Sequence, residues 1–190
     1  VKLNYQTFNP ATHWSVTLVK EWINEIEKAT DNTVKITRYD MGLLSPQAQT
    51  YDGVVKGIID IGETVPAYSA GRFPFMEISD VPLGGKLANA CGKLINELYK
   101  KYKPKEFDDV KVMYLHCADP GFFSTKKVIS SIDDIKGLRF KTNAENASAV
   151  SALGGTPVTM PITETYDALQ KGLLEGVFLP VEALKGWRFA

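Results

Sequence analysis

Two periodicities alternate along this chain, and their alternation restricts the fold more than any other feature. Leu3 and Tyr5 alternate with Lys2 and Asn4, which predicts a first strand over residues 2–8. Leu18, Trp22, Ile26 and Ala29 then recur at helical spacing and predict a helix from Thr12 to Thr30, turned by Asp31-Asn32 into a strand through Val34 and Ile36. Ser45-Pro46 and Gly57 bracket a helix carrying Tyr51, Val54 and Val55, followed by a short buried strand, Ile58-Ile59-Asp60-Ile61. Repeated strand–helix switching is the mark of an α/β protein.

The second half continues the pattern. Residues Val65 to Gly85 read as loop, and Leu87, Cys91, Leu94, Ile95 and Leu98 form the stripe of another helix. The basic run from Lys100 to Lys105 reads as a solvated helix end that complements the dipole. Val110 to His116 predicts a strand running into the loop Asp119-Pro120-Gly121. A strand Leu138-Arg139-Phe140-Lys141 leads into a helix capped by Asn143, then a strand over Pro157-Val158-Thr159-Met160. A short helix from Thr163 closes at Gly172, and Gly176 to Pro180 forms the last strand.

Composition narrows the function. The 190 residues carry 22 basic and 22 acidic side chains, a balance that argues against a nucleic-acid partner. The longest uncharged stretch, Asn146 to Thr163, is more than half polar, Gly or Pro, so it cannot span a membrane. Two histidines and two distant cysteines make no metal ligand cluster, and no residue pattern asks for a cofactor. Cys91 and Cys117 read as free, small buried hydrophobes in preference to a disulfide. The chain opens directly on a strand pattern with no signal peptide, as a mature exported protein would. Its apolar end at Trp187-Arg188-Phe189-Ala190 suggests that the natural chain continues.

Catalytic patterns are missing. No nucleophile elbow, P-loop or dinucleotide fingerprint occurs, and Gly154-Gly155-Thr156-Pro157 lacks the Lys of a phosphate cradle. His13 or His116 could serve as a base in an α/β enzyme, but neither has a carboxylate or cysteine partner in sequence. Asp108-Asp109 and Asp133-Asp134 read as solvated turn residues. Binding is a better reading than catalysis.

Three segments sharpen it. Asp52 to Gly62 (DGVVKGIIDIG) resembles the helix-to-strand motif of solute-binding proteins of TRAP (tripartite ATP-independent periplasmic) transporters. Ile132 to Lys141 resembles that family's "DlKGlkiR" segment. Gly154 to Val158 together with Glu164 to Gly172 resembles its "lGa-p-v … EvY-aLq-G" signature. The loop from Gly71 to Phe75 through Val81-Pro82-Leu83 fits as well. The resemblance implies a two-lobed, type II-like periplasmic binding protein with hinge strands and a ligand cleft between lobes. Residues 1–118 would belong to lobe I and 119–190 to an incomplete lobe II, with the rest beyond residue 190. It also implies a periplasmic location and transfer of the solute to membrane permease subunits. A non-acid solute, or another transporter or a sensor, is the alternative.

The resemblance also points to site residues. Typical members place an Arg where this chain has Lys141, with Arg139 two residues earlier on the same strand face. A lysine pairs with a carboxylate as a point charge, without the guanidinium fork. A second family Arg falls in the region Gly121-Phe122-Phe123, a polar residue before the last Pro is here Leu179, and a pocket aromatic is here Ile162. These last departures all run toward apolar. The expected site is therefore an apolar cleft of Phe122, Gly121, Phe178, Leu179, Ile162 and Val65, with Trp14 or His13 contributing, anchored by Lys141 or Arg139. It suits an organic acid with a hydrophobic or aromatic part.

Overall fold

A computed structural model describes residues 1–69, 71–80 and 87–189; Val81, Pro82 and Leu83, singled out above, lie outside the described residues. The chain divides into two compact units, Val1–Ser69 and Ala70–Ala190. The α/β class holds in both.

The first unit is a three-stranded parallel sheet in the order β2-β1-β3, formed by β1 (Lys2–Gln6), β2 (Lys35–Tyr39) and β3 (Ile61–Gly62). Helix α1 (Trp14–Ala29) packs on it, and Tyr5, Val19, Ile23 and Ile36 make the core. The buried stripe of α1 is Val16, Val19 and Ile23 rather than one led by Leu18, which is 56% exposed. Both series have helical spacing, and the sheet decides which face is covered. Helix α1 begins after His13, not at Thr12, because the His13 side chain caps it: Ser15 N donates to Nδ1 at 3.3 Å.

Helix α2 (Thr50–Val55) is preceded by a 3-10 turn, Gln47–Gln49, after Pro46, and Gly57 follows it at φ +70°. Of the strand expected over 58–61, only Ile61 joins the ladder; Ile59 is buried and Ile58 exposed. The fully buried Gln6 fastens the loop before this turn. Its Nε2 donates to the Ser45 carbonyl and Thr50 Oγ1, and its Oε1 accepts from Leu44 N and Ser45 N.

The second unit contains a four-stranded sheet in the order β4-β7-β5-β6: β4 (Gly121–Thr125), β5 (Arg139–Thr142), β6 (Thr156–Thr159) and β7 (Gly176–Pro180). Strands β5, β6 and β7 are parallel and β4 runs antiparallel to β7. Helices α3 (Ala88–Tyr102), α4 (Ala147–Ala152), α5 (Ile162–Gln170) and α6 (Val181–Gly186) complete it. Ile135, Phe140 and Val150 form a core against which Phe123 and Phe178 pack, the Phe123 ring lying 4.7 Å from each of Phe140 and Phe178.

Three expectations are corrected in this unit. Gly121-Phe122-Phe123 is the start of β4, not loop, because β7 offers it an antiparallel ladder. Val110 to His116 is not a strand: no ladder pairs with it among the described residues, and Met113 and Tyr114 are each 60% exposed. The segment is instead held to α3, where Asn96 Nδ2 donates to the Leu115 carbonyl at 2.6 Å.

Cys91 and Cys117 are not free but form a disulfide, with their Cα atoms 5.9 Å apart. The packing of this segment along α3 supplies the proximity that sequence spacing could not. The bond closes a loop across 26 residues, so reduction is expected to lower stability by about 3 kcal/mol. Denaturant titration with and without dithiothreitol measures this, and coincident midpoints would contradict it.

Candidate functional site

Parallel strands gather functional side chains at their carboxyl ends, where chain crossovers leave a crevice. In the second unit Lys141 and Thr142 end β5, Leu179 and Pro180 end β7, and the amino end of antiparallel β4 brings Gly121 and Phe122 to the same edge. Ile162 opens α5 just beyond β6.

The register then sorts these residues by face. Phe122 lies opposite Leu179, and Lys141 opposite Val177, two residues before Leu179. Phe122, Leu179 and Lys141 therefore share one face of the sheet. Gly121 and Phe178 fall on the other, where Phe178 packs on the Phe140 core. Ile162 and Leu179 are buried, and Phe122 is 54% exposed.

Lys141 is the unusual member. Its side chain is 0% exposed, and its Nζ donates to Asn143 Oδ1 at 2.8 Å. Burial penalises the charged form and pulls the ammonium down to about 8, while the nearby Glu145 carboxylate acts in the opposite direction. An ammonium has three N–H donors, and this one makes no second hydrogen bond among the described residues. A buried cation with donors to give is what an anionic ligand needs.

Asn143 and Glu145 are the residues sequence reasoning missed. Asn143 was expected to cap a helix. It stands at the start of the 3-10 turn Ala144–Asn146, but its side chain caps nothing and holds Lys141 instead. The spacing Lys141, Asn143, Glu145 after a strand was the available signal.

Arg139 is differently placed. It lies at the amino end of β5, where Nε and Nη2 meet both oxygens of Glu175 at 3.1 and 2.5 Å, and Nη2 also donates to the Gly172 carbonyl at 2.8 Å. Glu175 also accepts from Arg139 N, and the Arg139 side chain, ahead of that N–H, holds its carboxyl down at about 2. This pair ties the turn before β7 to β5.

His13 is buried as the cap of α1, and Trp14 is exposed with its ring 5.7 Å from that imidazole. Val65 stands at the start of the 3-10 turn Pro66–Tyr68, where burial raises the Tyr68 phenol and its ring meets Phe8 edge-on at 5.5 Å. His116 is exposed and stacks on Tyr114 at 5.6 Å. Among the described residues no group of His, Cys, Asp and Glu could hold a metal, and no helix is long and apolar enough to cross a membrane.

The model of the bacterial extracellular solute-binding protein family 7 matches residues 5–190. A TRAP periplasmic solute-binding protein from Desulfovibrio salexigens is 34% identical and superposes with a TM-score of 0.81, the chain covering 59% of it and all of itself. A TRAP solute-binding protein from Rhodoferax ferrireducens, in complex with copurified benzoate, is 30% identical with a TM-score of 0.91 over 99% of this chain and 60% of that one. A marine metagenome TRAP solute-binding protein specific for aromatic acid ligands, crystallised with 3-hydroxybenzoate, is 29% identical with a TM-score of 0.91 over the same shares. The chain spans about half the length of the curated relatives it matches.

Proposed function

Since the chain belongs to family 7 of the bacterial extracellular solute-binding proteins, a family of receptors and not of enzymes, we propose that the whole protein captures an organic acid with a hydrophobic or aromatic part. It acts in the periplasm and delivers that acid to the permease of a TRAP transporter. Residues 1–118 belong to one lobe and 119–190 to the other. Lys141 is the carboxylate anchor, because its ammonium is buried and has donors left, whereas the Arg139 fork is occupied by Glu175. Leu179, Phe122 and Ile162 form the apolar wall. In the first unit, by itself, His13 sets the start of the helix that carries Trp14.

The single observation that carries the reading is the shared edge and face of Lys141, Leu179 and Phe122. It places one cation beside apolar side chains, which suits a monoacid with an apolar body better than a sugar acid. Burying such a body against one of these side chains contributes about 1.5–3 kcal/mol. The aromatic acids bound by two of the similar solved structures support the same class.

A thermal-shift screen of the full-length protein tests it. Benzoate- and phenylacetate-type acids are expected to raise the melting temperature by several degrees at millimolar concentration, by mass action on the folded state. Stabilisation by dicarboxylates and sugar acids alone would refute the apolar site.

A further inference from the structure

A buried cation that stands near a carboxylate usually bonds to it, and here it does not. Lys141 Nζ turns to Asn143 Oδ1, while Glu145 on the next 3-10 turn makes no ion pair with it among the described residues. Glu145 Oε2 is buried and accepts no hydrogen bond there. Such an oxygen is costly to leave unpartnered, so its place invites a donor from outside the chain.

A solute carboxylate docked on Lys141 enters the field of this second carboxylate, which already acts on the ammonium. A plain acid would suffer the repulsion with nothing to offset it. An acid with a hydroxyl next to its carboxylate would not, since the hydroxyl can donate to Glu145 Oε2 while the carboxylate accepts from Lys141. Resting on the reading of Lys141 as the acid anchor, we infer that Glu145 is a specificity-determining residue that selects hydroxy acids over their unsubstituted analogues. It acts twice, by attraction to the hydroxyl and by repulsion of acids that lack one. Lys141, Asn143 and Glu145 lie within one short segment, so their spacing is set locally.

Isothermal titration of the full-length protein with mandelate and phenylacetate tests this, the two differing by one hydroxyl beside the carboxylate. The wild type is expected to prefer mandelate by at least about tenfold. Glu145→Gln should bring the two within about threefold of one another, chiefly by tightening phenylacetate. Should that variant misfold by circular dichroism, Glu145→Asp, which keeps the charge but withdraws it by one methylene, should weaken mandelate more than phenylacetate. Equal wild-type affinities, or an unchanged ratio in Glu145→Gln, would overturn the inference alone. Failure of the wild type to bind any acid would overturn the acid-capture reading and this inference with it.

Discussion

Lys141→Met in the full-length protein is expected to lose acid binding by about a hundredfold or more and, at pH 7, to be more stable than the wild type. The loss of binding follows from removing a charge-assisted hydrogen bond in a buried place, which leaves a bound carboxylate without its counter-charge. The gain in stability follows from the lysine's own environment. Its ammonium titrates near 8 instead of the ordinary 10.5, chiefly because burial penalises the charge. The unfolded chain therefore holds a proton between pH 8 and 10.5 that the folded chain has released, and stability rises with pH across that window. Below pH 8 the full penalty, about 3 kcal/mol, weighs on the folded state.

Methionine is close in volume and uncharged, so the variant should escape part of that penalty, by about 1–3 kcal/mol at pH 7. The difference should shrink as the pH rises through 10.5. Chemical denaturation at pH 7 and pH 10.5, together with titration of the acid, measures all of this. A less stable Lys141→Met at pH 7 would show that the ammonium is a structural group and not a strained one.

Gly176→Ala is the second large effect. Gly176 begins β7 between β4 and β5, opposite Thr125 and Phe140. A Cβ there would run into the Ser124 carbonyl oxygen, with Thr125 Cγ2 at 2.6 Å and Phe140 Cε1 at 2.9 Å. The first obstacle is backbone and cannot rotate away. One strand must move, and a loss of about 3 kcal/mol or more is expected. Because β7 also carries Leu179 and pairs with Lys141, the same shift should weaken solute binding. Denaturation midpoints and titration read the two consequences separately. A variant of wild-type stability would mean that the sheet yields more easily than close packing allows.

Much of the fold was legible because local patterns and tertiary demands agreed. The periods of β1, β2, α1, α5 and β7 all appear close to where the spacing predicts them. Disagreements arose where a neighbour decides. Val110 to His116 has a strand's composition but no ladder, and Phe122-Phe123 became a strand because β7 offered an edge. Helix α6 was missed although Pro180 precedes it, with Glu182 in its first turn and Lys185 in its last, the charges a helix dipole favours.

What the sequence determined by itself was the α/β alternation, the match to a solute-binding family and the position of Lys141 at the end of a strand. Those are local properties, carried by periodicity and by short motifs. Only the tertiary structure decided that Lys141 is buried and held by Asn143, that Arg139 belongs to Glu175, and that Cys91 reaches Cys117. It also turned Phe122 and Leu179 to the lysine's face and Phe178 away. Burial and pairing depend on which distant backbone lies alongside, and register fixes that for a whole strand at once.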